Sequence, residues 1–196
     1  MKDHSQVIEE YLLLLYDLDR AGEKAKAVTL ATRLDTSPPT VHATIIRMQR
    51  DGLLKVKKSK ELSLTKEGRV VAENIAYRHN LSEYFLCNTL GIPWYEVHQH
   101  AHLLEHAMTP LVVEKLAEFL DNPKFCPHGT PMPGSALPKN TISLMETKPG
   151  MMVEIAMIGE VLEDSVDLMK ILHEHRIMPG NQHKVVDKTE VMRSVL

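Results

Sequence analysis

The sequence predicts a mainly helical protein that begins with a winged helix-turn-helix. Apolar residues recur at helical spacing along most of the chain, and two short strand-like segments follow the third predicted helix. Aromatic residues make up only 5% of the chain, although 43% of it is apolar. A core built from many aliphatic and few aromatic side chains favours helices over a β-sandwich.

The first 65 residues follow the element order of that fold. Residues 6–20 and 28–34 are predicted helices because their apolar side chains repeat at helical spacing. A third helix begins after Ser37, a favoured N-cap residue, with a proline in its first turn. Residues 54–57 and 62–65 are predicted strands of a hairpin, which would be the wing.

Three more helices are predicted between the wing and a proline-rich segment. They cover residues 66–90, 94–107 and 111–120. Six of the 11 prolines lie between Pro123 and Pro149, which predicts a loop-rich linker.

The C-terminal segment differs in character from the rest of the chain. Residues 151–158 are strand-like, residues 166–175 are predicted to be helical, and Met178–Gly180 is a predicted turn. We interpret this segment as a small, separate, β-rich module. The predicted domains are therefore residues 1–65, 66–140 and 148–196.

Composition excludes several classes of protein. No apolar run reaches the ~18 residues that would span a bilayer, and the charged N-terminus lacks the apolar centre of a signal peptide. Two cysteines do not make a disulfide framework. We therefore expect a cytoplasmic protein with no membrane partner.

A basic block coincides with the predicted helix-turn-helix. Between residues 24 and 69, 11 basic residues outnumber four acidic ones, so this segment carries +7 in a chain of net charge −3. Cations bind phosphate and short side chains at the front of a helix can contact base edges, so the block fits a DNA footprint. A solvated charged face and a helix-turn-helix that binds proteins are the alternatives. The candidate DNA-binding residues are Ser37, Pro39, Thr40, His42, Ala43, Arg47, Arg50, Lys58 and Lys60.

Within that set we assign different roles to the helix and the wing. Pro39, Thr40 and His42 lie in the first turns of the third helix, on the side away from its apolar stripe, and we expect them to contact bases. The wing lysines are expected to contact phosphates.

A second constellation of side chains indicates a metal site. His98, His102, Glu105 and His106 occupy an arc of about 100° on one predicted helix. His100 points to the opposite side, where we expect it to be exposed.

Two residues of the preceding helix extend this constellation. His79 and Glu83 lie one turn apart and can share an ion. A single buried histidine is usually a satisfied core residue, but six aligned His and Glu side chains would be costly to bury without a partner. Neutral imidazoles with carboxylates suit Mn(II), Fe(II), Co(II), Ni(II) or Zn(II) better than Mg(II) or Ca(II).

The same helix contains a competing motif. His102-Leu103-Leu104-Glu105-His106 matches H-x-x-E-H, in which the glutamate would be the general base of a zinc peptidase. A pattern this short arises easily by chance, and a peptidase also needs a substrate cleft. We therefore expect no enzyme and keep a small zinc hydrolase using His102, Glu105 and His106 as the alternative. A metal-responsive winged helix that acts on protein partners is a second alternative.

Together these motifs resemble the diphtheria-toxin-repressor family of metal-dependent regulators (the DtxR/MntR type). The resemblance covers the chain from the N-terminus to near the C-terminus, and the order and separation of the motifs are more specific than any one of them. The segment after Met151 resembles the SH3-like third domain of the longer members. The motifs are Ser37-Pro38-Pro39-Thr40-Val41, Arg47-Met48-Gln49-Arg50-Asp51-Gly52-Leu53, Leu64-Thr65-Lys66-Glu67-Gly68, Arg78-His79-Asn80-Leu81-Ser82-Glu83, the residues from Val97-His98 to Glu105-His106, and Cys126-Pro127-His128-Gly129.

This resemblance implies a function and two metal sites. The protein would be a metal-activated homodimer that binds a palindromic operator in double-stranded DNA and represses transcription to control metal-ion homeostasis, with the helical second domain mediating dimerisation. The first implied site comprises His79, Glu83, His98, Glu160 and Glu163, the last two at the end of the first strand of the third domain. The second comprises Glu10, His102, Glu105 and His106, so that Glu10 would connect the DNA-reading domain to the dimer domain.

One implied ligand, His102, matches neither of the two ligand patterns of the family. Iron-type members carry Met and Cys where this chain has Glu10 and His102, and manganese-type members carry carboxylates at both places. Oxygen and nitrogen ligands favour Mn(II) or Fe(II), with Zn(II) and Co(II) as alternatives. Cys126 is not in the implied ligand set.

Overall fold

A computed structural model describes residues 4–189 and 194–195 of the chain. The chain divides into two compact units, residues 1–78 and residues 79–196, with the boundary inside a long helix. Within the described stretches, no helix combines the length and the apolarity needed to cross a membrane.

The first unit has the winged helix-turn-helix order that the sequence predicts. Three helices precede an antiparallel hairpin in which Leu54 lies opposite Leu64. A fourth helix begins in this unit and continues into the second. In chain order the elements are α1 (Gln6–Arg20), α2 (Ala27–Arg33), α3 (Pro38–Arg50), β1 (Leu54–Val56), β2 (Leu62–Leu64) and α4 (Lys66–Asn88).

Local sequence explains how α3 is oriented. The Ser37 hydroxyl accepts a hydrogen bond from the Thr40 amide at 3.4 Å, and a proline occupies the first turn, as predicted. Val41, Ile45 and Met48 are buried in the core of this unit. Because these residues recur on one side of the helix, the opposite side stays in solvent.

The start of α4 packs closely against the wing. The Thr65 hydroxyl accepts from the Gly68 amide at 2.9 Å and caps the helix. A Cβ atom at Gly68 would lie 1.8 Å from the Leu53 carbonyl oxygen, so this approach requires glycine.

The second unit contains the end of α4 and all the elements that follow. β3 pairs antiparallel with β4, with Val153 opposite His183, and β5 pairs antiparallel with β6. In chain order the elements are α5 (Val97–Glu105), α6 (Pro110–Phe119), β3 (Met152–Glu154), α7 (Glu160–Glu163), α8 (Val166–Glu174), β4 (Gln182–Lys184), β5 (Lys188–Thr189) and β6 (Ser194–Val195). The fold is therefore mainly helical, with a few short strands at its C-terminal end.

A proline-rich connection joins α6 to β3. It contains a 3₁₀ turn over Leu144–Glu146 and a tight turn at residues 126–130, in which the Gly129 amide donates to the Cys126 carbonyl at 3.0 Å. The Ile158 amide donates to the His128 carbonyl at 2.9 Å. A Cβ atom at Gly129 would lie 2.2 Å from the Ala156 carbonyl oxygen, so glycine is what lets this turn lie against residues 156–158.

The prediction of a strand that extends through Glu163 is wrong. β3 ends at Glu154, and residues 160–163 form the short helix α7. Gly159 has an extended backbone and ends the strand-like segment, while acidic residues in the first turn of a helix interact favourably with its dipole. The predicted helix over residues 166–175 is confirmed as α8. The SH3-like character of residues 148–196 stays a prediction.

A small core links the C-terminal elements to the helices of the second unit. Trp94, Ile158 and Met169 form a buried cluster, against which Cys87 and Leu172 pack. Trp94 precedes α5, Ile158 precedes α7 and Met169 lies on α8. This core therefore holds the start of α5 close to α7 and α8.

Candidate metal and DNA sites

One face of α3 presents the predicted DNA-binding residues. All nine candidates, on α3, its N-cap and the wing, are exposed. The hydroxyls of Ser37 and Thr40 lie 2.8 Å apart at the front of the helix. Arg50, further along the same face, contacts Asp51 with its Nε atom 3.1 Å from Oδ1. Short polar groups at the front of the helix and guanidinium groups behind them match the distribution of base and phosphate contacts in such folds.

The wing adds positive charge beside this helix. Lys60 adopts a left-handed backbone (φ 60°) in the turn between β1 and β2. Lys57 is paired with Glu61 at 2.7 Å, whereas Lys58 projects into solvent at the tip. The surface can therefore bind a polyanion on two adjoining elements.

In the second unit, α4, α5, the 126–130 turn and α7 meet around a group of buried side chains that we call the junction cluster: Glu83, His98, Cys126, His128 and Glu163. His98 Nδ1 lies 2.9 Å from Glu83 Oε1 and 3.2 Å from Glu163 Oε2. His128 Nδ1 lies 2.7 Å from Glu163 Oε2 and 3.3 Å from Glu83 Oε1. The ligand atoms of Glu83, Cys126 and His128 all fall within 4.8 Å of one another, as do those of Glu83, His98 and Glu163.

Trp94 positions the His128 ring in the junction cluster. His128 Nε2 lies 2.9 Å from the Trp94 carbonyl oxygen, to which it donates. The Trp94 indole in turn donates to the Pro127 carbonyl at 3.0 Å, and its ring packs edge-on against His128. With Nε2 engaged as a donor, Nδ1 is left to face the carboxylates.

A second group of side chains, the α5 cluster, comprises His102, Glu105 and His106. Glu105 is fully buried and its two oxygens face different ways. Oε2 accepts from His79 Nδ1 at 2.6 Å, while Oε1 lies 3.2 Å from His106 Nε2 and 3.7 Å from His102 Nδ1. Glu105 therefore connects the α5 cluster to His79, which lies beside the junction cluster.

The charges in both clusters compensate one another. Burial alone would lower the pKa of His79 and His128, but the adjacent glutamates outweigh it and raise their pKa values to about 10 and about 11. Burial would likewise raise the pKa of Glu105, but hydrogen bonds from His102 and His79 lower it to about 2. Burial and the nearby carboxylates raise the pKa of the Cys126 thiol. His79 and His128 are thus imidazolium partners of the adjacent glutamates, whereas burial lowers the pKa of His102.

The donor set fits a divalent transition metal. Glu163 Oε1 is buried and accepts no hydrogen bond from any residue described, and Glu105 Oε1 lies 3.2 and 3.7 Å from the imidazoles of His106 and His102 without a well-formed hydrogen bond. Leaving such oxygens unsatisfied is costly, and a cation would satisfy them. Imidazole, carboxylate and one thiol are ligands of Mn(II), Fe(II), Co(II) and Zn(II).

The structure groups the predicted metal ligands differently from the two sites that the family resemblance implies. His79, Glu83 and His98 come together with Glu163, but Glu160, at the first position of α7, is absent from the metal-ligand groups found among the described residues.

The remaining predicted ligands have different positions. Glu10 lies on α1 in the first unit and its role as a ligand stays a prediction. His102 and Glu105 lie on α5 and His106 is its C-cap residue, while His100 is exposed, as expected.

Two potential ligands were missed by the sequence analysis. His128 and Cys126 belong to the junction cluster, although both lie in a loop more than 20 residues beyond the end of α5. Helical spacing, which found the other ligands, carries no information about a loop. The segment Cys126-Pro127-His128-Gly129 was the available signal, because two metal-binding side chains flank a proline and precede a glycine.

Comparison with known proteins decides the family. Residues 3–62 match the model of the iron-dependent repressor N-terminal DNA-binding domain, and residues 65–134 match that of the iron-dependent repressor metal-binding and dimerisation domain. The iron-dependent repressor IdeR of Mycobacterium leprae is 35% identical over 92% of this chain and 84% of its own length. The chain belongs to the iron-dependent repressor family. The diphtheria toxin repressor of Corynebacterium efficiens is 32% identical over 96% of this chain and 86% of its own.

Solved structures agree with this membership. A manganese-dependent transcriptional repressor in complex with manganese superposes with a TM-score of 0.83 at 26% identity, covering 94% of this chain and 86% of that chain. ScaR with bound Cd²⁺ superposes with a TM-score of 0.81 at 28% identity, covering 96% and 88%. The prediction that this chain is a metal-dependent transcriptional repressor is confirmed.

The peptidase alternative receives no support from these comparisons. The matched domain families and the relatives are DNA-binding repressors rather than enzymes. The residues of the H-x-x-E-H pattern have another role in the structure. Glu105 Oε2 accepts a hydrogen bond from His79, and His102 and His106 both lie near Glu105 Oε1.

Proposed function

We propose that the protein is a homodimeric repressor whose DNA binding is activated by Mn(II) or Fe(II), and that it recognises a palindromic operator. The observation that carries the proposal is the pair of His/Glu clusters, in which buried carboxylate oxygens converge with imidazole nitrogens, within a repressor fold. Relatives named for iron and for manganese dependence support the choice of metal.

The junction cluster would hold one ion. Glu83, His98, His128 and Glu163 would supply its oxygen and nitrogen ligands, with the Cys126 thiol beside them. Two carboxylates bring the charge that a divalent cation requires, and the oxygen content favours Mn(II) or Fe(II) over softer ions. A bound ion would neutralise the two carboxylates and release the protons held by the imidazoles.

The α5 cluster would hold a second ion through His102, Glu105 and His106. These side chains are less enclosed, since His102 retains 39% of its side-chain exposure. The family resemblance alone adds Glu10 from α1 as a further ligand. A ligand shared between the two units would stabilise one relative orientation of them, which is a route from metal binding to DNA binding.

The homodimer has its own support in the second unit. Large apolar side chains on and around α5 and α6 are exposed, Leu103 and Phe119 to more than 70% each. Exposed apolar surface of this kind marks association sites. The family model that matches this region is described as a dimerisation domain. We also propose that residues 148–196 are a version of the SH3-like third domain, with β3 to β6 as its strands.

The test is metal-dependent retention of DNA. A duplex is first selected from a random-sequence pool with Mn(II)-loaded protein, and its retention is then measured with and without Mn(II) or Fe(II). We expect retention only with metal, and its loss in Arg47→Ala/Arg50→Ala, because both guanidinium groups lie on the exposed face of α3. Failure to select any duplex at any metal concentration would overturn the proposal in favour of a module that acts on protein partners.

A further inference from the structure

His98 stands between the two clusters and faces both. Its Nδ1 atom faces Glu83 and Glu163 of the junction cluster at 2.9 and 3.2 Å. Its Nε2 atom lies 3.1 Å from Nε2 of His102, which we have assigned to the α5 cluster. One imidazole is therefore within reach of ligands from both proposed sites.

A third histidine completes a compact set. The rings of His79, His98 and His102 are mutual neighbours, with centroids 4.6 to 4.8 Å apart. One ligand nitrogen from each falls within 4.8 Å of the other two. We call these three side chains the imidazole trio. Ligand nitrogens around a tetrahedral ion stand about 3.3 Å apart at Zn–N distances of about 2.0 Å.

The surroundings prepare the trio for a metal. Glu105 Oε2 engages Nδ1 of His79 at 2.6 Å, which leaves Nε2 of His79 facing His98 Nδ1 at 3.1 Å and the Glu83 carboxylate, a ligand of the junction cluster, at 3.2 Å. Carboxylates commonly orient a metal-ligating imidazole in this way and increase its basicity. His79 and His98 are fully buried, whereas His102 is half-exposed and has room to move towards an ion.

We propose that the imidazole trio is a third metal position, selective for ions that prefer nitrogen ligands, namely Zn(II) and its neighbours Co(II) and Ni(II). Three neutral imidazoles contribute no negative charge and therefore disfavour Mn(II), which prefers oxygen ligands. The trio takes His98 from the junction cluster and His102 from the α5 cluster. An ion in the trio is consequently incompatible with full occupancy of the other two sites.

The consequence is discrimination between metals by competing coordination. Mn(II) or Fe(II) fills the carboxylate-containing sites, whereas Zn(II) is drawn to the trio and removes a ligand from each of them. This inference rests on the proposed function, because it deepens how that function selects its ion. His102 is the residue to change in a test of this inference, because it is the one member of the trio that comes from the α5 cluster.

The experiment measures Zn(II) and Mn(II) affinities of the full chain by competition with a chromophoric chelator, for wild type and four variants. His102→Glu removes the third imidazole but keeps a metal ligand at that position. We expect the affinity for the first Zn(II) equivalent to fall about tenfold or more, since losing a ligand has at least this effect, and the affinity for Mn(II), which accepts a carboxylate ligand, to fall by less. His102→Gln should lose Zn(II) affinity equally.

Two controls separate the trio from the other positions. His128→Gln changes only the junction cluster and should leave the first Zn(II) equivalent within about threefold of wild type. His100→Glu adds the same charge on the exposed side of α5 and should have no effect. ¹⁵N-histidine NMR with one equivalent of Zn(II) should show metal-bound shifts for three rings, and these should persist in His128→Gln.

The opposite pattern overturns the inference. If His128→Gln loses the first Zn(II) equivalent and His102→Glu keeps it, Zn(II) occupies the junction cluster instead. If circular dichroism shows that His128→Gln does not fold, NMR of wild type, His102→Glu and His100→Glu still shows which histidine rings bind the first Zn(II) equivalent. Failure of the proposed function would look different, because Mn(II) would then not promote DNA retention whatever the Zn(II) result.

Discussion

The junction cluster and the α5 cluster use the same kinds of ligand in different settings. In the junction cluster every carboxylate and imidazole is buried, and its members come from α4, α5, a loop and α7. The α5 cluster is built on one helix, and two of its three side chains retain contact with solvent. An enclosed site with many ligands would hold its ion firmly, whereas an open one with few ligands can follow the concentration of the ion outside. The comparison suggests that the junction cluster stabilises the second unit and that the α5 cluster regulates DNA binding.

The largest effect is expected from breaking the α5 cluster. His106→Ala removes an imidazole 3.2 Å from Glu105 Oε1 and should weaken Mn(II)-dependent DNA retention about a hundredfold, because it deletes a ligand of the regulating ion. The variant should fold, since α5 also packs through Val97 and Ala101, which are buried. Retention on the selected duplex and circular dichroism check these two points. Unchanged retention with Mn(II) present would contradict the division of roles.

Breaking the junction cluster should instead affect stability and the first ion. Glu163→Gln removes a buried carboxylate charge that lies 2.7 Å from His128, so Mn(II) affinity of the first site should fall about tenfold. The Mn(II)-induced rise in melting temperature should shrink with it. Glu160→Gln, three residues earlier on α7, is the matched control and should have a smaller effect. Equal effects of the two variants would mean that α7 contributes through its overall charge rather than through a ligand.

The pH dependence of stability should change sign when metal is added. In the metal-free protein the pKa values of His79 and His128 are raised to about 10 and about 11, so their stabilisation is complete below the unfolded value of 6.5 and is lost as the pH rises towards 10. Metal ligation requires neutral imidazole, so the stabilisation by Mn(II) should grow over the same range. Thermal unfolding between pH 6.5 and 9, with chelator or with Mn(II), tests this. Parallel curves would show that His128, the one of these two imidazoles that belongs to the junction cluster, is not a Mn(II) ligand.

At the acidic end the sign is reversed. The pKa of Glu105 is lowered to about 2, so its contribution is present above its ordinary value of 4.5 and is lost as the pH falls towards 2. His106→Ala should reduce this acid sensitivity only slightly, since hydrogen bonds with His102 and His79 are the main causes of the shift.

The smallest effect is expected from a side chain outside both clusters. Trp94→Phe deletes the indole donor to the Pro127 carbonyl and should lower the free energy of unfolding by about 1 kcal/mol. Because the lost hydrogen bond holds the turn that carries His128, Mn(II) affinity at the junction cluster should fall slightly while DNA retention at saturating Mn(II) is unchanged. A variant with lost DNA retention would show that the two clusters are not separable.

The sequence predicted local features better than those that depend on tertiary contacts. Helical periodicity located α1, α3, α4 and the face of α5, and the Ser37 cap placed the start of α3 correctly. These features depend on residues a few positions apart, whose relation the helix itself fixes.

The ligands in loops depended on longer-range contacts. Cys126 and His128 reach the junction cluster only because Gly129 lets its turn lie against residues 156–158, and no periodicity encodes that approach. Glu163 was found through family resemblance, but on a strand rather than on α7. The grouping of His79 with Glu105 rather than with Glu83 alone likewise depends on how α4 packs against α5.

The division of roles is tested most directly by titrating the metal-free full chain with Mn(II) while bound metal and DNA retention are measured in the same samples. We expect the first equivalent to raise the melting temperature without retaining the selected duplex, and retention to appear with the second. In His106→Ala the first step should remain and the second should disappear. Full retention at one equivalent of Mn(II), or retention in His106→Ala that equals wild type, would contradict the assignment of regulation to the α5 cluster.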